Sequence, residues 1–309
     1  MDFTRVKRYQ DLIEDWPAFL DACQAPLPTT FWCNTSRLSR QELLDHLRRD
    51  GIQPTELLWY PGGFRAPYEA RPGKTMAFIL GYLHIQEEVS MLPIHCLDPQ
   101  PGDRLLDLCA APGNKTVQAA VRLVGSGTVV ANDINVQRLG MVMRNIDRLG
   151  LTNTYVTRHN GSNLPADLGK FDRVLADVPC GCEGTTRKNP DLLWSEPPDL
   201  ERVARGQLAI LRKGVQRCRA GGRIVYSTCT YAPEENEAVV HAALEEFEDL
   251  RLVPCRVPGW TCSPGLTEWQ GRSFRSEMTG AMRIYPHQND TGGFFIAVLE
   301  RAPAEDDES

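Results

Sequence analysis

Two cysteines occupy positions where a thiol could do covalent chemistry. Thr228-Cys229-Thr230 closes the apolar run Gly221–Ser227 and precedes Pro233-Glu-Glu-Asn-Glu237, whose proline and acids suit the first turn of a helix. A cysteine at a strand's C-terminal end and ahead of a helix N-terminus is placed to ionise and act as a nucleophile. Cys180 ends Asp177-Val-Pro-Cys180, directly after the run Phe171–Asp177. Either cysteine by itself reads as a buried hydrophobe. Together at two strand ends, with the acid Asp177 beside one of them, they form a set that can attack a substrate and then release it. Cys180-Gly-Cys182 has no second pair to complete a zinc site, so no metal is expected. Cys23, Cys33, Cys96, Cys218 and Cys255 read as packing residues in a reducing compartment.

A third segment completes the set. Arg104-Leu-Leu-Asp-Leu-Cys-Ala-Ala-Pro-Gly-Asn-Lys-Thr116 reads as a buried strand, a tight loop of small residues and the start of a helix. That arrangement brings backbone N–H groups and a helix N-terminus up to a ligand. It is not a P-loop, because Cys109 and Asn114 stand where glycines are needed. A nucleotide hydrolase using Lys115-Thr116 is disfavoured for the same reason. The G-x-G-x-x-G pattern is absent too. Asp133 follows the β-branched run Gly127–Asn132, at a strand end where an acid can accept both hydroxyls of a ribose.

These residues need a scaffold that presents strand ends together. Strands over 105–108, 127–132, 154–158, 171–177 and 221–227 alternate with helices over 115–121, 135–149 and 199–219. Such alternation argues an α/β fold with a doubly wound, mostly parallel sheet. Arg283–His287 and Asp290–Ala297 read as a hairpin closing it. Residues 1–75 have another texture: strand-like Thr29–Cys33, a helix Leu38–Leu47 capped near Ser39, and strand-like Thr55–Tyr60. The expected organisation is a small N-terminal α+β domain (1–75), the α/β domain (76–300) and an acidic tail (301–309). Residues 76–103 read as an amphipathic helix followed by a loop.

Composition narrows the classes. With 42% hydrophobic and 24% charged residues among 309, the chain is neither disordered nor a membrane protein in composition. No apolar run reaches spanning length, and Met1–Arg8 leads into no apolar signal segment. A cytoplasmic location is expected, or a nuclear one in a eukaryote. Net charge is −6, of which residues 300–309 carry −4, in what reads as a solvated end. The remaining −2 excludes a generally basic surface, so contact with a nucleic acid must rest on a local patch. Arg187-Lys188 is one candidate; the series Arg202, Arg205, Arg212, Lys213 and Arg217 fits a solvated helix face equally well.

Asp107-Leu-Cys-Ala-Ala-Pro-Gly-Asn-Lys-Thr116 resembles the S-adenosylmethionine loop of the Nop/Sun family of RNA cytosine-C5 methyltransferases, usually D-x-C-A-A-P-G-G-K-T. Asp177-x-Pro-Cys180, Arg187-Lys-Asn-Pro190 and Thr228-Cys229-Thr230 match further family motifs. Departures are Asn114 for the second glycine, Gly181-Cys182 for the usual Ser-Gly, Asn160 for an aspartate, and Trp32 for an arginine. The resemblance implies a Rossmann-like methyltransferase sheet behind a domain like an RNA-recognition motif. It implies S-adenosylmethionine held by Cys109, Ala110, Ala111, Pro112, Gly113, Asn114 and Lys115. By the same resemblance Asp133 takes the ribose and Asn160 the adenine amino group, while Asp177 serves both cofactor and base. It makes Cys229 the nucleophile, Cys180 the group assisting product release, and Asp177 and Lys115 the groups that hold the base. In DNA cytosine methyltransferases the nucleophile lies in Pro-Cys, which keeps Cys180 open as the alternative. RNA is the implied partner. Leu27–Phe31 and Glu183–Asn189 look closest to the tRNA-modifying branch, with ribosomal RNA close behind. A non-catalytic RNA-binding or assembly factor on the same fold is the competing class.

Overall fold

In the computed structural model, which describes residues 3–304, the apolar runs between 104 and 301 assemble into one sheet of nine strands. Five run parallel, in the order Thr154–Thr157, Thr128–Asn132, Arg104–Asp107, Phe171–Asp177, Cys218–Thr228. Phe294–Arg301 pairs antiparallel with Cys218–Thr228, and Met282–Ile284 pairs antiparallel beyond it, so the expected closing hairpin is present. Consecutive residues of a strand point to opposite faces. Here both faces are covered. Leu105, Val129, Leu175, Val225 and Ile296 pack in one cluster, with the helices Glu88–Leu97, Asn114–Arg122 and Val136–Leu149. Leu106, Val130, Val174, Ile224 and Phe295 pack in the other, with Leu200–Arg217 and Glu237–Glu246. That is why the strands read as unbroken apolar runs rather than as alternating ones.

Strand order reverses between Arg104–Asp107 and Phe171–Asp177. Ligands of open α/β sheets bind at such a switch point, outside the carboxyl ends of the strands. Asp107, Asp133, Asp177 and Cys229 all stand at that edge.

The N-terminal module is a four-stranded antiparallel sheet, Thr55–Glu56, Gly63–Arg65, Thr30–Cys33, Leu83–Ile85, with the helix Arg40–Arg49. Ser39 and Glu42 form a full capping box at that helix, as the sequence suggested. The sheet runs on to Ile85, past residue 75. Residues 76–97 are not one helix: Met76–Ile79 stops before Gly81, which turns the chain at φ +72. A Cβ there would lie 2.0 Å from the Arg148 carbonyl oxygen, so only glycine fits. The strand Thr55–Tyr60 shortens to Thr55–Glu56, because Leu57 and Tyr60 enter a turn that ends at Gly63.

The strand aromatics of this module, Phe31, Trp32 and Phe64, do not form an open base-stacking platform. Phe31 and Phe64 are buried under the helix with Leu43 and Leu47. Trp32 faces the other way and is 2% exposed, its indole N–H donating to Gln86 Oε1 at 2.8 Å. Gln86 in turn donates to Gln118 Oε1 and the Ser90 carbonyl, stitching the module to the α/β domain. Stacking recognition of RNA needs rings open to solvent. The N-terminal helices Thr4–Lys7 and Trp16–Gln24 pack on the α/β domain as well, through Val6, Tyr9, Phe19, Tyr231 and Tyr285. Of the acidic tail, residues 305–309 lie outside the described residues; Arg301 still belongs to a strand and pairs with Asp249. No helix among the described residues is long and apolar enough to cross a membrane.

Candidate active site

The loop after Arg104–Asp107 is shaped by close packing. Gly113 sits at φ +107, 3.0 Å from Val142 Cα by the position a Cβ would take, so a side chain there is excluded. Ala110 N–H donates to the Asn132 carbonyl and Ala111 N–H to Asp133 Oδ2 at 3.2 Å. Pro112 follows, its peptide bond to Ala111 cis, and its carbonyl accepts from Asn145. Cys109 is partly buried against the core, and burial holds its thiol well above the ordinary range, with Asp107 and Asp133 adding to the effect. Asn114, the departure from the family's glycine, accepts from His84 Nε2 at 3.0 Å. Burial and the nearby Arg148 lower His84 to about 4, so it is neutral; Arg148 donates to Nδ1, which leaves the proton on Nε2 for Asn114.

Three acids face this loop. Asp107 is 1% exposed; Oδ2 accepts from the Thr116 hydroxyl at 2.7 Å, while Oδ1 is buried without a partner. Burial raises its carboxyl to about 7, opposed by the Thr116 bond. Asp133 accepts from Ala111 N–H and, through Oδ1, from Asn135 N–H at 2.9 Å. It therefore braces the loop besides standing at the expected ribose position. Asp177 is fixed from both sides: Lys115 Nζ lies 2.7 Å from Oδ2, and the Ser227 hydroxyl donates to Oδ1 at 2.7 Å. Lys115 also lies over the Phe294 ring.

A cleft of about 420 Å³ opens beside these groups, lined by Lys115, Asp177, Cys229, Pro112, Phe294 and Lys188 among others. Cys229 lines it and Cys180 does not. Cys180 Sγ lies 3.4 Å from Cys229 Sγ, directly behind it. Cys182 Sγ is 3.9 Å from Cys180 Sγ, so three thiols cluster where the sequence suggested two. A search for a second C-x-C pair along the chain could not find this, because the third sulfur comes from another strand. Hydrogen bonds from Cys180 and Cys229 pull Cys182 down to about 3, with Arg5 helping, while Cys180 is held up by its two thiol neighbours and burial. Cys229 is drawn down by Cys180 but raised more by Cys182 and by burial. The helix that follows begins at Glu237, and its N-cap Asn236 accepts from the Thr228 hydroxyl and donates to the Thr230 carbonyl, on either side of Cys229.

Behind the thiols lies a buried layer that the sequence concealed. Glu183, Glu235 and Glu237 are all fully buried. Glu235 accepts from Gly181 N–H and from Gln207, and burial beside Glu183 raises it to about 7. Arg5 donates to Gly181 O at 2.5 Å and to Glu183 at 3.3 Å, clamping the cysteine loop from the N-terminus. Acids next to a proline read as an exposed helix start; only the buried partner Arg283 of Glu237 could have hinted otherwise.

Two expected residues are placed differently. Arg187 is not at an RNA surface: its side chain is 1% exposed, bonded to the carbonyls of Ala25, Pro26 and Thr291 and to Asp290. Lys188 beside it is exposed and pairs with Glu87 at the cleft rim. Asn160 is exposed, and its Oδ1 already accepts the Ser162 N–H and hydroxyl, so an adenine amino group would have to share that oxygen.

Sheet order, loop and clustered edge residues define a Rossmann-like methyltransferase fold. A methyltransferase homologue from Pyrococcus horikoshii, 33% identical, superposes at a TM-score of 0.84 over 96% of this chain and 93% of that one. The chain belongs to the RsmB/F branch of the Nop/Sun family. The profile described as 16S rRNA methyltransferase RsmB/F matches residues 94–300, and that of the N-terminal domain of 16S rRNA methyltransferase RsmF matches residues 3–88. Over 290 residues it is 36% identical to the mouse 28S rRNA (cytosine-C(5))-methyltransferase, covering 92% of this chain and 36% of the relative. It is 34% identical to the multisite-specific tRNA:(cytosine-C(5))-methyltransferase of Saccharomyces cerevisiae, covering 93% of this chain and 53% of the relative. The chain thus spans about a third to a half of the length of these curated relatives.

Proposed function

We propose that the protein transfers a methyl group from S-adenosylmethionine to carbon 5 of cytosine in RNA, through a covalent bond between carbon 6 and Cys229. The observation that carries this reading is one cleft lined by Cys229, Asp177 and Lys115, with Cys180 behind the nucleophile. The cofactor loop fits as well. Asp107 keeps a buried, partnerless oxygen, the kind of acceptor an ammonium group fills. When bound, S-adenosylmethionine supplies an electrophilic methyl group; Asp107, Asp133 and the amides of the loop would hold it.

Carbon 5 of cytosine is a poor nucleophile. Cys229 loses its thiol proton to solvent, and its thiolate adds to carbon 6, pushing electron density onto carbon 5. Asp177, immobilised by Lys115 and Ser227, accepts from the amino edge of the base and holds it over the thiol. Once carbon 5 carries the methyl group, its proton leaves to solvent. The carbon 5–carbon 6 double bond reforms as the carbon–sulfur pair returns to Cys229. The Cys180 thiol, 3.4 Å away and held protonated, donates to that departing thiolate and eases its release.

The finer choice of RNA does not follow from the segments that suggested tRNA. Thr30 and Phe31 are buried, as are Glu183, Thr186 and Arg187. Gly184, Thr185, Lys188 and Asn189 of the second segment do line the cleft, but relatives that act on rRNA and on tRNA both occur. The test is incubation of the purified chain with isotope-labelled S-adenosylmethionine and total RNA, with nucleoside mass spectrometry of separated tRNA and rRNA. Label in 5-methylcytidine supports the reading. Label in another nucleoside, or none with folded protein that binds the cofactor, overturns it.

A further inference from the structure

Cys182 occupies a backbone position that disfavours it. Its φ is +64, in the left-handed region that favours glycine and strains a residue with a side chain. The preceding residue could not carry the side chain instead: a Cβ on Gly181 would lie 2.8 Å from Glu235 Oε1 and 2.9 Å from Glu183 Oε2. A strained residue persists where its surroundings fix it, and here the strain places a third sulfur against two others. Cys180 Sγ is 3.9 Å from Cys182 Sγ and 3.4 Å from Cys229 Sγ, and all three lie within 4.8 Å of one another. Zinc–thiolate bonds of about 2.3 Å in tetrahedral geometry set their sulfurs about 3.8 Å apart. The three thiols stand near that spacing already.

We propose that Cys180, Cys182 and Cys229 form a three-thiolate site for a thiophilic divalent cation such as Zn²⁺, whose binding ties up the nucleophile and reversibly silences the enzyme. No redox change is involved: three sulfur–metal bonds form, and the thiol protons pass to the buffer. The cleft that Cys229 lines would give such an ion access to water as a fourth ligand. Three thiolates around a dication leave one negative charge. Arg5, bonded to the carbonyl of Gly181 between two of the ligands, stands close enough to offset it. The silencing rests on the methylation reading; the metal site does not.

The test uses the full chain, reduced and chelator-stripped, titrated with Cd²⁺ for sulfur-to-metal charge-transfer absorption and with Zn²⁺ against a chromophoric chelator. The expected result is one ion per chain with absorption of three thiolate bonds. Methyl transfer should cease at one equivalent of Zn²⁺ and return with chelator. Cys182→Gly, which suits the left-handed backbone, should stay folded, and its own metal-free methylation rate is the baseline against which its inhibition is read. It should bind Zn²⁺ about a hundredfold more weakly and resist inhibition. Absence of stoichiometric binding, equal affinity in Cys182→Gly, or loss of two thiols under peroxide without any metal uptake would overturn the site. If the wild-type chain methylates nothing, the charge-transfer titration still decides the metal site separately.

Discussion

Arg187→Ala separates a structural clamp from a nucleic-acid contact. The guanidinium reaches the carbonyl oxygens of Pro26 at 2.6 Å, Thr291 at 3.0 Å and Ala25 at 3.1 Å, and Asp290 at 2.8 Å. Asp290 is 55% exposed, so that ion pair contributes little. The three carbonyls are the larger effect, since truncation strips a charged donor from acceptors in a closed site. Bonds to charged groups contribute roughly 1.5–3 kcal/mol each and do not add fully, so the expected loss is about 3–5 kcal/mol. In urea unfolding this lowers the midpoint with little change in slope. RNA affinity, measured by filter binding on the folded protein, should change less than about threefold. Arg187→Lys recovers only part, because an ammonium cannot span the fork. Lys188→Glu should do the reverse: stability within about 0.5 kcal/mol of wild type, with weakened, salt-sensitive RNA binding. A stable Arg187→Ala protein that has lost RNA affinity would refute the reasoning.

Asp133→Ala should weaken S-adenosylmethionine by about ten- to a hundredfold in calorimetry, losing a ribose acceptor and the brace on Ala111 N–H; unchanged affinity in a folded mutant would exclude the assignment. Asp107 and Glu235 both have carboxyls raised to about 7 in the folded state, against ordinary values near 4. Folding therefore favours their protonated forms, so stability of the ligand-free protein should fall as pH rises from about 4 to about 7 and then level. Asp107→Asn should flatten part of that slope in urea titrations across pH; an unchanged slope counts against its burial. Asn114→Gly leaves the buried His84 N–H without its acceptor, and should cost about 1–3 kcal/mol in the same assay.

The parallel strands and their edge were readable because strands covered on both faces leave apolar runs, and the chemistry follows each run directly. Asp133, Asp177 and Cys229 were placed at that edge in this way, whereas Asp107, one position before the loop, was quoted in the motif but not read as a site residue. Buried polar layers were not readable, since nothing local distinguishes Glu235 in a closed core from an acid in a solvated helical turn. Arg187 failed for the same reason: its partners come from residues 25, 26, 290 and 291, far along the chain. Cys182 was passed over because its meaning depends on a left-handed backbone and on a sulfur from another strand. Trp32 looked like a lost RNA contact, and its role emerges only from the Gln86–Gln118 bridge beneath it.

The roles proposed for Cys229 and Cys180 can be separated in one gel. Addition to carbon 6 and elimination from it are distinct steps with distinct proton demands. Cys229→Ala cannot form the adduct, so it should give neither turnover nor a covalent complex. Cys180→Ala should still attack and methylate, then stall for want of the donor 3.4 Å behind the leaving sulfur. Its protein should run joined to RNA on a denaturing gel after incubation with S-adenosylmethionine. Both mutants must first show wild-type cofactor affinity. The expected result is a linked band for Cys180→Ala alone. A band for Cys229→Ala alone reverses the roles, and wild-type turnover by both mutants contradicts the covalent mechanism altogether.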